Sequence, residues 1–146
     1  MMTQQQETRR QNLEQERGGQ AWKYVKAIQQ KEKTLQKEYR SLARGLNAMI
    51  QINGLGQTLG FFKAKGKNDE NKAHFLLLAH LTEWMQGSGH FSALNMAVMN
   101  NGKDGLLKWI VDSGTSSADY RRATAECLAF GSWLSRFAEA ELEGED

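Results

Sequence analysis

Asn53-Gly54-Leu55-Gly56-Gln57-Thr58-Leu59-Gly60-Phe61-Phe62 is the stretch whose reading decides the fold. Apolar residues at helical spacing lead into it and out of it. Glycines at 54 and 56 interrupt that pattern, because glycine reaches backbone conformations closed to other residues. A phosphate-binding glycine loop needs G-x-G-x-x-G after a strand; here the spacing is G-x-G-x-x-x-G after a helix. The stretch therefore reads as a joint between two helices whose backbones pack closely, with Asn53, Gly54, Gly56 and Gln57 as its structural motif.

Upstream, Trp22, Val25, Ile28, Leu35, Tyr39, Leu42, Leu46, Met49 and Asn53 recur at gaps of three and four, with Glu32 where an apolar residue belongs. One helix over residues 5–53 would reach roughly 70 Å, against a radius of gyration of about 15 Å for a domain of this size. A break is expected near Lys31–Thr34, with Thr34 as N-cap, giving a helical hairpin. Residues 1–20 are polar and interrupted by Gly18-Gly19. The same register sets Lys23, Lys26, Lys33, Lys37, Arg40 and Arg44 at heptad-like spacing off the apolar seam, as a basic stripe.

Downstream, Leu55, Leu59, Phe62 and Ala64 continue as helix, with Gly66 as a left-handed C-terminal cap. Asn68 then caps a new helix, with Asp69 and Glu70 in its first turn and Leu77, Leu81 and Trp84 along one face, ending by Gly87. Residues 91–99 read as a short helix with Leu94, Ala97 and Val98 inward. Leu106–Val111 reads as another, since no second strand-like run exists to pair with it. Gly114 stops it. Ser116 and Asp119 have the spacing of a capping box. The last helix carries the seam Tyr120, Ala123, Cys127, Phe130, Leu134, Phe137 and spans roughly 40 Å to Leu142. Arg122 and Arg136, fourteen residues apart, share a face away from that seam.

The fold expected is all-α: a compact bundle of about six helices with a long C-terminal helix. The chain of 146 residues contains no proline and one cysteine, Cys127, which excludes an internal disulfide. One domain over residues 1–146 is expected, frayed at 1–12 and 143–146. No apolar run approaches the ~20 residues of a membrane span, and no signal peptide is seen, so a cytoplasmic location is expected. The net charge of +2 hides an asymmetry: residues 1–72 hold 14 Lys and Arg against 7 Asp and Glu, residues 73–146 five against ten. Such a dipolar chain can meet a polyanion with one end and a copy of itself with the other.

Two blocks carry a family resemblance. Tyr39-Arg40-Ser41-Leu42 followed by Asn53–Phe61 is one. Tyr120-Arg121-Arg122-Ala123-Thr124, Glu126, Leu128-Ala129-Phe130, Trp133-Leu134 and Arg136–Ala140 is the other. Together they resemble the small subunit of the type III-B (Cmr) CRISPR effector complex. The chain departs from that pattern by lacking a proline near Asn47 and by having Gly60 and Gly131 where Ala or a larger apolar residue is usual. The resemblance implies an all-helical, non-catalytic subunit, stacked in a filament beside guide-bearing subunits. It implies other Cmr subunits, copies of itself and guide RNA with single-stranded target RNA as partners. Backbone phosphates would meet Lys23, Lys26, Lys37, Arg40, Arg44, Lys63, Arg121, Arg122 and Arg136. The alternative is a helical protein–protein adaptor whose basic stripe is only a solvated face.

Catalytic residues, a metal site and a cofactor are not expected. His80 and Glu83, three apart, could begin a metal site, but no H-E-x-x-H motif or Cys/His pair accompanies them. Cys127, on the apolar seam, reads as a buried small hydrophobe. Trp22, beside Lys23 and Lys26, is the one tryptophan placed to stack on a base, with core packing as its other reading.

Overall fold

The structure, a computed structural model, describes residues 3–87 and 96–144. Among these lie seven helices: α1 (Gln4–Gln29), α2 (Lys33–Asn53), α3 (Leu55–Gly66), α4 (Ala73–Gly87), α5 (Met96–Met99), α6 (Gly105–Ile110) and α7 (Ser117–Glu141). The all-α expectation holds, as does the long last helix. Of the seven, α5 is a single turn of four residues.

α1 begins in a capping box: the Thr3 hydroxyl accepts from the Gln6 N–H and the Gln6 side chain from the Thr3 N–H. Its residues 4–12 are all exposed, so the helix runs out beyond the core. Gly18-Gly19 does not interrupt it. A Cβ at Gly18 would meet the Trp133 ring at 3.2 Å, so glycine there makes a flat seat for the indole. The turn after α1 falls where the sequence placed it, but Glu32, not Thr34, is the N-cap of α2 and makes no side-chain cap bond. Gln36 closes the end of α1 instead. Its buried amide donates to the carbonyls of Gln29 at 3.0 Å and Lys31 at 2.9 Å.

The glycine joint forms as read. Gly54 closes α2 through its N–H to the Ile50 carbonyl and sits at φ +86°, ψ 160°, where a side chain is strained. Its carbonyl then accepts from both the N–H and the hydroxyl of Thr58. The Gly56 N–H, one of the donors that open α3 without a partner in the helix, donates to the Tyr120 hydroxyl at 3.0 Å.

The next two boundaries differ from expectation. Lys67 (φ 49°), not Gly66, takes the left-handed cap position, and Asn68 follows it at φ 57°. Gly66 serves a different purpose: a Cβ there would lie 2.7 Å from the Phe75 nitrogen, so α3 and α4 cross backbone to backbone. Asn68 caps no helix. Asp69 instead accepts from the Asn71 N–H in a side-chain turn, and α4 starts at Ala73. Of the short helix expected over 91–99, Leu94 lies outside the described residues, Ala97 is exposed and Val98 half-buried; Met99 is the residue that points in. α6 is a helix as read. In α7, Ser116 caps the Asp119 N–H, while the Asp119 carboxylate faces Arg122 at 3.4 Å.

α7 is the spine. Gly18–Trp133, Trp22–Phe137 and Gln29–Glu141 are successive meetings of α1 and α7, so those helices run parallel. Gln36–Glu143, Asn47–Ser132 and Gly56–Tyr120 set α2 antiparallel to α7. α1 and α2 touch each other little; the hairpin is splayed, with α7 and α4 wedged into it. Tyr24, Val25, Ile28, Tyr39, Leu46, Ile50, Leu77, Leu81, Ala123, Cys127, Phe130 and Leu134 belong to one buried cluster. Trp84 stacks on Phe130 at 4.7 Å and its indole N–H donates to Glu126. Glu126 also takes a two-pronged contact from Arg17 at 2.7 and 2.8 Å, tying α1, α4 and α7 at one buried point. That pairing raises the Arg17 pKa, the hydrogen bond to Glu126 outweighing burial.

Two departures from the resembled pattern, at Asn47 on α2 and Gly131 on α7, meet in space. The Asn47 amide fills the space over Gly131, where a Cβ would overlap its oxygen, and donates to the Leu128 carbonyl and the Ser132 hydroxyl.

Gly54→Val forces a β-branched residue to positive φ, and Gly56→Val pushes on the Tyr120 hydroxyl 3.2 Å from the new Cβ. A cost of about 2 kcal/mol or more each lowers Tm by roughly 5 °C or more. Gly87→Val, with nothing within 4 Å of its Cβ position, should shift Tm much less. Thermal melts of the three variants check this; equal shifts would contradict it.

Candidate nucleic-acid interface

The outer strip of α7 lies between α1 and α2. Arg122, Ala129 and Arg136 share one column of it at seven-residue spacing. Arg136, Ala129, Ser132 and Trp133 line a shallow cavity of about 470 Å³ with Glu14 of α1. On the α1 side, Trp22 is 40% exposed, its ring edge-on to Phe137 at 5.2 Å and under the Lys26 ammonium at 5.2 Å. The Trp22 ring packs on Phe137, and part of it stays open. Lys26 also faces Glu141 at 3.8 Å. Lys23 is exposed one residue on from Trp22.

On the α2 side, Lys37, Arg40, Ser41 and Arg44 line a cavity of about 320 Å³, closed at one edge by Gly144. Positions i, i+3, i+4 and i+7 share a helix face, so α2 builds most of this site by its own periodicity. Lys37 and Arg44 are exposed. Arg40 is not: it is 5% exposed, which corrects its placement off the buried seam. Its side chain, guanidinium included, lies under Gly144, where a Cβ would fall within 3 Å of Cδ, Cζ and a terminal nitrogen of Arg40. Cover of that kind comes from a distant part of the chain, which an apolar-periodicity count does not register. Ser41 and Gly144 carry no signal of a site in the sequence.

The other basic candidates lie elsewhere. Lys63 donates to Asp104 at 2.8 Å and Asn68 at 2.6 Å, tying α3 to the start of α6. Burial opposes the Asp104 charge, but hydrogen bonds from Lys63 and Lys108 outweigh it and hold its pKa below the ordinary value. Arg121 is exposed at the first turn of α7, beside Thr115, Ser116, Ser117 and Tyr120. Arg122 pairs in part with Asp119. Arg136 thus lies in the cavity beside Glu14, Lys37, Arg40 and Arg44 in the cavity beside Gly144, and Lys26 over Trp22, while Lys63 is engaged by Asp104 and Asn68. Of the joint motif, Gly54 and Gly56 are structural. Asn53 and Gln57 are both exposed, and both line a cavity of about 350 Å³ with Met49, Thr58 and the 39% exposed Phe61.

His80 and Glu83 both line one cavity of about 570 Å³. The His80 Nδ1 shares a hydrogen bond with the Tyr39 hydroxyl at 2.7 Å, and its ring stacks on Tyr24 at 4.2 Å, while Glu83 is exposed. Among the described residues no three His, Cys, Asp or Glu are placed to share an ion, and no helix is long and apolar enough to cross a membrane. Cys127 is fully buried, and burial and the neighbouring Glu126 push its thiol up to about 12, far from a thiolate at neutral pH.

The family model described as "CRISPR-associated protein (Cas_Cmr5)" matches residues 13–141. The chain belongs to the Cmr5 family of CRISPR-associated proteins. A curated relative, "CRISPR system Cmr subunit Cmr5" of Thermotoga maritima, is 28% identical over 120 residues, covering 82% of this chain and 78% of the relative. The matched span begins at Leu13 and takes in the buried part of α1, all of α2–α4 and α7 to its last residue. The resemblance carried by Asn53–Phe61 and Tyr120–Ala140 is confirmed at the level of the family, and its two blocks touch through Gly56 and Tyr120.

Burial holds the His80 pKa at about 4 in the fold, against 6.5 ordinarily. The unfolded chain therefore binds the proton first. Stability is full above pH 6.5 and is lost as pH falls from 6.5 towards 4, by about 3 kcal/mol for this group. Urea unfolding at pH 7 and pH 4 should show a larger acid loss in the wild type than in His80→Gln. Equal losses would contradict a buried neutral histidine.

Proposed function

We propose that this chain is the small, non-catalytic subunit of a type III-B Cmr effector ribonucleoprotein, and that the outer face of its α1–α7–α2 layer guides single-stranded target RNA. What supports the reading is that three helices packed side by side carry basic side chains: Arg136 in the cavity beside Glu14, Lys37, Arg40 and Arg44 in the cavity beside Gly144, and Lys26 over Trp22. In such a complex the guide reads sequence by base pairing, and protein supplies a positive track for backbone and an aromatic face for an unpaired base. Trp22 under Lys26 is the platform of that kind. Chemistry on the RNA belongs to other subunits. Copies of the chain stack in a filament, the basic α1–α3 portion of one meeting the acidic later helices of the next.

Neighbouring Cmr subunits dock at the joint. Ile52 is 79% exposed beside Asn53, Gln57 and Phe61, an apolar group that the fold itself leaves uncovered. That patch also supports the adaptor reading, in which it is the whole of the interaction and RNA plays no part.

The two readings separate by charge reversal. Lys37→Glu with Arg44→Glu alters two exposed residues and should leave stability within about 0.5 kcal/mol. Arg40 is excluded because it is buried. Target-RNA affinity of the reconstituted complex should fall for all sequences alike. Its salt slope should flatten by roughly 1.4, at about 0.7 for each of two phosphates no longer neutralised on a single strand. Normal assembly with unchanged affinity and slope would leave the adaptor.

A further inference from the structure

The shallow cavity between α1 and α7 holds an acid and a base that do not meet. Glu14 and Arg136 both line its volume of about 470 Å³, yet no ion pair joins them. One Glu14 carboxylate oxygen accepts from Arg17 at 2.6 Å, and Arg17 is itself clamped by buried Glu126. Arg136 is exposed and has no acidic partner among the described residues. Opposite charges left facing one cavity, of a volume usual for small-molecule sites, fit a ligand that brings an anion for one and a hydrogen-bond donor for the other.

Trp133 lines the same cavity, on the side of its ring that Gly18 leaves open. Gly18 backs the indole from α1, and Phe137 lies against it at 5.6 Å, so the ring is fixed before anything binds. Ser132 has no proton to offer: its hydroxyl donates to the Leu128 carbonyl at 3.1 Å and accepts from Asn47 at 3.0 Å. A carboxylate cannot donate at all. Of the polar side chains lining the cavity, Arg136 alone donates into it; Glu14 and Ser132 only accept.

We propose that this cavity takes an unpaired nucleobase that bears an amino group: the base against Trp133, its amino edge on the second Glu14 oxygen, and the flanking phosphate on Arg136. The proposal rests on reading the chain as an RNA-guiding subunit, and it adds a base preference to a track for backbone. Guanine, adenine and cytosine each present an exocyclic amino group. Uracil presents carbonyl oxygens on either side of a single N–H, and those oxygens face the carboxylate unfavourably. Cytosine and uracil have the same size, so their difference isolates the hydrogen bond to Glu14. One such bond at a partly open site is worth about three- to tenfold in affinity.

The test titrates the full, isotope-labelled chain with cytidine and uridine monophosphates and reads the assigned indole N–H resonance of Trp133. Cytidine monophosphate should move that resonance and bind about three- to tenfold tighter than its uridine counterpart. In Glu14→Gln, whose amide can donate to a carbonyl oxygen, the two should bind within about twofold of each other. Glu14 is exposed and Arg17 keeps Glu126, so the variant should stay folded. Equal affinities in the wild type overturn the proposal, as does a preference that survives in Glu14→Gln. A Trp133 signal unmoved up to about 10 mM nucleotide overturns it too. None of these results touches the backbone reading, which the salt slope of Lys37→Glu with Arg44→Glu tests separately. A Trp133 signal moved by a purified neighbouring Cmr subunit and not by nucleotide overturns it in favour of a protein contact.

Discussion

The Tyr120 hydroxyl against the Gly56 N–H is the contact on which the rest of the arrangement depends. A helix that starts immediately after another has ended leaves backbone donors without partners, and burying them unpaired costs about 1–3 kcal/mol each. Gly54 turns the chain at positive φ so that Leu55 and Leu59 can enter the core, and Tyr120 answers the donor that this exposes. Because Tyr120 stands in the first turn of α7, the contact pins the end of α2 to the start of α7. Antiparallel register follows from there. Asn47 comes to lie over Gly131, Gln36 beside Glu143, and Arg40 under Gly144.

That register decides where the charges lie. α7 lodged between α1 and α2 leaves Arg122 and Arg136 exposed on one column, Arg122 facing Asp119. Other cations tie elements together. Lys63 holds Asp104, and Arg17 is held by Glu126 at the three-helix tie. Breaking a pair of the second kind is costly because it strands a buried charge, which makes Arg17 structural despite its place in the basic half of the sequence.

Much of the fold was legible because its signals are local. The joint could be read since glycine is what positive φ demands, and the α7 seam since Ala123, Cys127, Phe130 and Leu134 repeat at helical spacing and are all fully buried. The misreadings share one cause: a residue chosen for what approaches it from afar. Gly66 resembles a cap but serves the Phe75 backbone; Gly18 resembles a break but seats Trp133. Thr34 and Asn68 have capping chemistry, yet Gln36 and the Lys67–Asn68 left-handed turn settle those ends. Of the candidate site, the α2 periodicity placed Lys37 and Arg44 correctly as exposed. It misplaced Arg40, because the cover comes from Gly144, far along the chain. The division of Asn53 and Gln57 from Gly54 and Gly56 was also invisible, since exposure at a joint depends on where α3 turns.

Passage of target RNA along the α1–α7–α2 face of this Cmr5-family chain is tested most directly by photo-crosslinking in the assembled complex, with the attached peptides mapped. The account predicts crosslinks at Trp22 and within residues 33–44 and 122–136. Crosslinks confined to the Ile52–Phe61 patch, or none to this subunit in a complex that binds its target, would contradict it.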